Sequence, residues 1–297
     1  MTFVLQTTDK RLTSASSATA SCRAYPVARA QIRYSTTIAW VDWSAGALDV
    51  IFSDGTRAQF DLVIGADGIR SAVRKLIYPH IETAYRSFCA WRTVMECSDC
   101  DTVFRIRFSP GRVLGSFQVG PNLVYAFLLA HHAGLPSLLR DEHLERFKEL
   151  ASQFHATVPS LIQQQRDPAG VVFVPVQEVE TPSYYRGRIL LIGDAAHAFP
   201  PQLAQGAAMA IEDAVALAGL LGESGDLDQV LRSYESRRRP RVDSIRAAVP
   251  HRAISGGMEG PVTPELLKQY PPVFSDIPLK VYDDLIEDPF AGGHGAA

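Results

Sequence analysis

The stretch that decides the fold is Ile189-Leu190-Leu191-Ile192-Gly193-Asp194-Ala195-Ala196-His197. Its first four residues form an apolar run that suits a strand buried on both faces of a parallel sheet. Gly193 allows the backbone to turn tightly after the strand, which places the Asp194 carboxylate at the carboxyl edge of the sheet. A carboxylate there can accept hydrogen bonds from sugar-like hydroxyl groups. The stretch therefore predicts an α/β fold with a ligand site where this strand ends.

The residues that follow support a ligand site at the same edge. Ala195, Ala196 and Gly206 are small enough to let a flat ligand approach the backbone. A helix is predicted over about 205–221, and its start offers free N–H groups and a positive dipole end to an anionic ring edge or a phosphate. A second helix is predicted over about 227–248.

Another motif lies upstream, in Ile64-Gly65-Ala66-Asp67-Gly68-Ile69-Arg70-Ser71. It follows the short apolar run 60–64, which also suits a buried strand. An ordinary strand, turn and helix of an α/β fold would explain either motif alone.

The two motifs together resemble those of the class A flavoprotein monooxygenases, the family of para-hydroxybenzoate and salicylate hydroxylases. They occur in the order found in that family, with a strand-rich insert of suitable size between them. The resemblance covers about residues 30–250. It implies an FAD/NAD(P)-binding Rossmann-like domain that carries an inserted domain with an antiparallel sheet.

The resemblance also implies which residues bind FAD. Asp194 matches the aspartate that binds the ribityl chain, and Pro201 matches the proline beside the isoalloxazine ring. The loop 203–206 would place backbone N–H groups near the pyrimidine edge, and Asp67 would serve pyrophosphate and ribose binding indirectly, together with NAD(P)H use. The complete set implied for the cofactor is Asp67, Gly68, Arg70, Gly193, Asp194, Ala195, Pro201, Leu203, Ala204, Gln205 and Gly206.

One residue departs from the family pattern. The family has glycine where this chain has Ala204, and a methyl group there could crowd the flavin if the backbone needs a positive φ.

The implied activity is an FAD- and NAD(P)H-dependent hydroxylation of a small aromatic or other electron-rich substrate by O2, through a flavin hydroperoxide. Because the flavin carries this chemistry, no catalytic side chain is assigned beyond Pro201 beside the ring, and no metal is expected. His197 could act as a catalytic base, but a structural role with a hydrogen-bonded ring is the preferred interpretation. The basic run Arg237-Arg238-Arg239 is interpreted as a solvated helix end.

The pattern of strands predicts the domain organisation. Residues 1–84 and 181–250 are assigned to the FAD-binding domain, 85–180 to a substrate domain, and 251–297 to a helical or irregular tail. The strands expected before the insert cover 32–38, 48–52 and 60–64, and those within it cover 102–108, 113–119, 123–129 and 171–176. In the insert, the shared alternation of Phe117, Tyr125 and Phe127 fits a substrate pocket or an ordinary core equally well.

The family's amino-terminal Gly-x-Gly-x-x-Gly turn has no counterpart in the sequence. The first βαβ unit is therefore expected to be missing, with strand edges left open at Leu62-Val63-Ile64 and Ile189-Leu190-Leu191. FAD binding by these residues alone is then expected to be weak. The alternative to an enzyme is a truncated or degenerate relative that acts only through contacts with other proteins.

Bulk composition excludes several other classes. The chain has 297 residues, a net charge of -3 and mixed signs of charge throughout, which argues against nucleic acid as a partner. Its longest apolar runs, such as 123–130, are too short to span a bilayer. The four cysteines include Cys97-x-x-Cys100, with Cys89 nearby, and are interpreted as neither a disulfide framework nor a zinc site. A cytoplasmic location is expected.

Overall fold

The structure is a computed structural model that describes residues 2–6, 11–15, 31–43, 46–98, 100, 104–109, 111–132, 140–154, 157–201 and 204–248. These residues form two compact units. The first unit contains the described residues up to Ala84 and those from Gln177 onward, and the second unit runs from Tyr85 to Val176. The tail predicted over 251–297 lies outside the described residues.

The strands follow one another in runs of three or more, with helices between the runs and after the last one. The strands are β1 (Thr2–Gln6), β2 (Arg11–Ala15), β3 (Gln31–Arg33), β4 (Ile38–Asp42), β5 (Leu48–Phe52), β6 (Arg57–Phe60), β7 (Leu62–Gly65), β8 (Ala84–Glu96), β9 (Arg105–Ser109), β10 (Arg112–Gly120), β11 (Leu123–His131), β12 (Val171–Glu178), β13 (Tyr185–Arg186) and β14 (Ile189–Leu191). The helices are α1 (Ala72–Ile77), α2 (Arg140–Ala151), α3 (Thr157–Gln164), α4 (Asp194–His197), α5 (Gly206–Glu223) and α6 (Leu227–Ala248).

The main sheet of the first unit has the strand order β13-β14-β7-β1-β2-β3. Within this sheet β14 runs parallel to β7, with Leu190 opposite Ile64. All residues of these two strands are buried, because the sheet is covered on both faces at this point. The α/β fold inferred from the two apolar runs is confirmed.

The prediction of open strand edges was wrong. β14 pairs with β13 on one side and with β7 on the other, and the antiparallel strand β1 covers the far side of β7. β1 continues into the antiparallel partner β2. The run Thr2-Phe3-Val4-Leu5 is rich in residues that favour strands, so the sequence carried a signal for β1.

The strand predicted over 32–38 is also wrong, because it is two strands in two different sheets. β3 ends at Arg33, and β4 begins at Ile38 as part of a three-stranded sheet with the order β4-β5-β6. Between them Ser35 has a φ of 53°. A strand cannot continue through a residue with that backbone conformation.

The second unit is built on one sheet with the order β12-β8-β11-β10-β9. The antiparallel pairing predicted for this region is confirmed for β9, β10 and β11. Alternate residues of β11 are buried, and they belong to a core that includes apolar side chains of α2 and α3. The long strand β8 and the helix α3 were not predicted.

The chain leaves the first unit and returns to it at neighbouring points. The Gln177 side-chain amide donates to the Thr83 hydroxyl over 2.9 Å, and both residues belong to the first unit. Among the described residues, no helix has both the length and the apolar character needed to cross a membrane.

Candidate functional site

The Asp194 turn, defined as Gly193 to His197, follows directly on the buried strand β14. Gly193 has φ 57° and ψ -144°, a backbone conformation that is essentially restricted to glycine. It reverses the chain, so that the Asp194 side chain is exposed whereas Ala195, Ala196 and His197 are buried. The turn therefore presents one carboxylate to solvent from an otherwise buried backbone.

Side chains from three distant parts of the first unit hold this turn. Arg74 donates to the carbonyl of Ala195 over 3.0 Å, and the Thr181 hydroxyl donates to the carbonyl of Ala196 over 3.1 Å. The amide of Gly193 donates to Oδ2 of Asp213 over 2.7 Å. All three bonds are buried, so they do not compete with water and they fix the turn on the sheet.

Asp213 on helix α5 lies behind the turn and is completely buried. Its Oδ2 lies 2.7 Å from Nε2 of His197, and its Oδ1 accepts from Nε of Arg238 over 2.7 Å. Burial by itself would raise the pKa of Asp213. The hydrogen bond from His197 and the charge of Arg238 outweigh burial, so the pKa lies below its usual value and the carboxylate stays charged.

His197 is therefore held in the interior, as the structural interpretation of this residue requires. Its ring is 2% exposed and lies 5.4 Å from the Tyr184 ring, measured between centroids. A group this enclosed, with its Nε2 bonded to Asp213, is not available to a substrate as a base.

The interpretation of Arg237-Arg238-Arg239 as a solvated helix end was wrong. These residues lie in the middle of α6, and Arg238 is 5% exposed. Besides Asp213, Arg238 donates to Oε2 of Glu212 over 2.7 Å. The spacing carried a signal for this, because Leu231, Tyr234, Arg238, Val242 and Ile245 follow one another at three or four residues and all are buried.

The upstream motif forms a capped helix start. The carboxylate of Asp67 accepts from the amides of Ala72 and Val73 over 2.7 and 3.1 Å, and from the Ser71 hydroxyl over 2.5 Å. Ser71 in turn caps α1 by accepting from the amide of Arg74. Asp67 is therefore engaged with its own helix, and the exposed Arg70 lies beside it.

Arg74 joins the two motifs, a role that the sequence did not indicate. It is 1% exposed and donates both to the carbonyl of Ile69, over 2.6 Å, and to that of Ala195. The turn that begins α1 and the Asp194 turn are therefore neighbours at one edge of the sheet.

The loop that leads into α5 contains Ala204, the residue that departs from the family pattern. Ala204 has a φ of 53°, and its amide donates to the carbonyl of Pro201 over 2.9 Å. Gln205 precedes the first residue of α5, Gly206, whose added Cβ would lie 3.9 Å from Oδ1 of Asp194. Pro201 is exposed. Leu203 lies outside the described residues.

We expect Ala204→Gly to raise the free energy of unfolding by about 1 kcal/mol, because glycine removes the cost of a left-handed alanine. Chemical denaturation measures this. Ala218→Gly is the matched control: Ala218 is exposed within α5, where glycine should instead cost about 1 kcal/mol. If both variants lose stability equally, the backbone at Ala204 is not left-handed.

The aromatic face of the second unit consists of Phe104, Phe117, Tyr125 and Phe127. The rings follow one another at centroid distances of 5.5 Å, 5.1 Å and 6.3 Å. All four are half-buried, and they do not belong to the core that packs on α2 and α3. A Cβ added to Gly115 would fall 2.1 Å from the Phe127 ring, so this ring occupies the space that a side chain at Gly115 would need. The ordinary-core interpretation is not what the structure has.

A disulfide joins Cys97 to Cys100, with 5.4 Å between their Cα atoms, whereas no disulfide was predicted. The third cysteine of this region, Cys89, is buried and free. Among the described residues, no group of three or more His, Cys, Asp or Glu side chains could hold a metal ion.

Comparisons with known proteins agree on one family. Residues 52–248 match the family model described as an FAD binding domain. Aurachin C monooxygenase/isomerase from Stigmatella aurantiaca is 33% identical over 67% of this chain and 52% of its own length. Salicylate hydroxylase from Pseudomonas putida is 30% identical over 74% of this chain and 57% of its own length.

A solved structure shows the same fold. Klebsiella pneumoniae HpxO, complexed with FAD and uric acid, superposes with a TM-score of 0.71 at 23% identity over 80% of this chain and 61% of that protein. The chain therefore spans between about half and three fifths of the length of these relatives.

Proposed function

The chain belongs to the FAD-binding domain family of the class A flavin-dependent monooxygenases, and on that premise we propose that it hydroxylates a small aromatic substrate with FAD, NAD(P)H and O2. The observation that carries the proposal is the Asp194 turn, where an exposed carboxylate follows a buried strand, at the carboxyl edge of the sheet, and buried hydrogen bonds hold the backbone on either side of it. Ligands of open α/β sheets bind at this edge.

The residues at this edge fit a flavin. Asp194 offers two oxygen acceptors to the hydroxyl groups of a ribityl chain. Small residues lie next to it, since a Cβ added to Gly206 would be 3.9 Å from Oδ1 of Asp194 and the adjacent Ala195 is buried. The first amides of α5 lack helical partners, which suits the electronegative edge of the ring.

FAD, when bound, would supply the redox and oxygen chemistry. The chain's own residues would bind and orient it: Asp194 at the ribityl chain, Pro201 beside the ring, and the Ala204–Gly206 backbone at its edge. Asp67 would act indirectly, because its carboxylate already accepts three hydrogen bonds at the start of α1.

The proposal of an aromatic substrate is supported by the aromatic face of the second unit. Half-buried rings such as Phe117, Tyr125 and Phe127 can pack on a planar ligand, and such ring pairs add about 0.5–1.5 kcal/mol each beyond burial. Among the relatives, salicylate hydroxylase is named for a planar aromatic compound. The HpxO structure contains uric acid, which is also planar.

The test is whether purified protein retains FAD and uses it. Because binding to these residues alone is expected to be weak, we expect a bound-flavin absorbance spectrum after incubation with FAD at high concentration. NADH or NADPH oxidation should then rise with a planar aromatic acid, and the product should contain one added oxygen atom. A protein that retains no flavin at high FAD concentration would reject the proposal and leave the non-catalytic alternative.

Asp194→Ala should weaken FAD binding about tenfold to hundredfold, because hydrogen bonds to a charged group contribute about 1.5–3 kcal/mol. Flavin fluorescence titration measures this affinity. The side chain is exposed, so the thermal midpoint should change little. Asp228→Ala is the matched control, since Asp228 is an exposed acid in the first turn of α6. Equal FAD affinity in wild type and Asp194→Ala would remove Asp194 from the site.

A further inference from the structure

Asp213 is a buried charged residue to which the proposed function assigns no role. Its side chain is completely inaccessible to solvent. A buried carboxylate is costly unless every oxygen is paired, so its position has to be maintained by specific partners.

One oxygen of Asp213 binds both ends of the Asp194 turn. Oδ2 accepts from the Gly193 amide and lies equally close, at 2.7 Å, to Nε2 of His197. Gly193 is the residue before Asp194, and His197 is the last residue of α4. A shift of this single atom would therefore move the backbone on both sides of Asp194.

The other oxygen of Asp213 is held by a residue of helix α6. Oδ1 accepts from Arg238 of α6, and the same guanidinium also binds Glu212 and the carbonyl of Met209, over 2.7 Å and 3.3 Å. These contacts tie the carboxylate to α5 and α6 together. Because both oxygens are occupied, the carboxylate cannot rotate without losing a buried hydrogen bond.

We propose that Asp213 is a positioning residue that aims the Asp194 carboxylate at the flavin by fixing Gly193 and His197. The proposal rests on the proposed function for the flavin, whereas the fixing of the turn is a property of the protein alone. The experiment therefore has one arm without flavin and one arm with it.

The first arm measures amide hydrogen exchange in the flavin-free protein. Asp213→Asn keeps the shape of the side chain and removes its charge. We expect the Gly193 amide to exchange at least tenfold faster, whereas the Leu191 amide, which donates to the backbone carbonyl of Tyr184, should keep its protection. Glu212→Gln is the matched control. Glu212 also accepts a hydrogen bond from Arg238, whereas the Gly193 amide donates to Asp213 and not to Glu212.

A second variant covers the case in which Asp213→Asn does not fold. Asp213→Glu retains the charge for Arg238 but displaces the carboxylate by one methylene, and it should also release the Gly193 amide. Unchanged exchange at Gly193 would overturn the proposal. Faster exchange throughout the sheet, or the same release in Glu212→Gln, would also overturn it, since either result indicates general destabilisation.

The second arm compares FAD affinity in wild type, Asp213→Asn, Asp194→Ala and the double variant. If Asp213 acts through Asp194, Asp213→Asn weakens binding in the wild type but changes it less than twofold in the Asp194→Ala background. Additive losses would overturn the proposal. If the wild type binds no FAD, the proposed function fails, and amide exchange alone decides whether Asp213 positions the turn.

Discussion

Replacing Arg238 with methionine is expected to lower the free energy of unfolding by about 3–5 kcal/mol. Methionine retains much of the apolar stem, so the loss comes from the charge and its hydrogen bonds. Asp213 would remain completely buried without its cation, and Glu212 would lose its 2.7 Å contact with the guanidinium. Since domains are typically stable by about 5–15 kcal/mol, this is a large fraction of the total.

Arg232→Met is the control for this experiment. Arg232 lies earlier on the same helix and is exposed, so its replacement should change stability by no more than about 0.5 kcal/mol. Urea denaturation followed by circular dichroism compares the two variants directly. Similar midpoints for both would show that the buried ion pair does not form.

Gly193→Ala is the other change with a large expected effect. Its φ of 57° and ψ of -144° cost a residue with a Cβ about 1–3 kcal/mol. The added methyl would also lie 3.0 Å from the Cβ of Ala210 on α5, so that the turn or the helix would have to shift slightly. We expect loss of stability by at least that strain and, in the same variant, weaker FAD binding, because the turn carries Asp194.

Gly222→Ala is the control that distinguishes the effects of the Gly193 backbone conformation from those of replacing any glycine by alanine. Gly222 lies in α5 with open space where a Cβ would be, so alanine should stabilise the protein by up to about 1 kcal/mol. If the Gly193 backbone is as described, thermal unfolding shifts the two variants in opposite directions, and FAD titration shows a loss of affinity only for Gly193→Ala. A stable Gly193→Ala protein with normal FAD affinity would contradict this geometry.

The parts of the fold that were predictable are those determined by local patterns. The apolar runs around Val63 and Leu190 predicted the paired strands β7 and β14. The alternation of apolar and polar residues predicted β10 and β11, which are neighbours in the sheet of the second unit. Each of these signals lies within a few residues. The possible strain at Ala204 was also visible, because an alanine stands where the resembling family has glycine.

The parts that were missed depend on contacts between distant residues. Arg238 resembles its two arginine neighbours in sequence, and only its position on the buried stripe of α6 distinguishes it. Its partner Asp213 lies 25 positions earlier on another helix. Likewise, the hydrogen bond from Arg74 to the Asp194 turn crosses 121 positions, so no local pattern could reveal it.

The bond between Arg74 and Ala195 has a consequence for the order of folding. If the intervening chain closed as one flexible loop of 121 positions, the entropic cost would be about 4 kcal/mol. The contact between Thr83 and Gln177 removes most of that loop, because it brings together the two points at which the chain leaves and re-enters the first unit. Once this pair has closed, Asp67 and Asp194 are much nearer along the effective chain than in the linear sequence, so that bringing them together costs less further entropy than closing the whole loop at once.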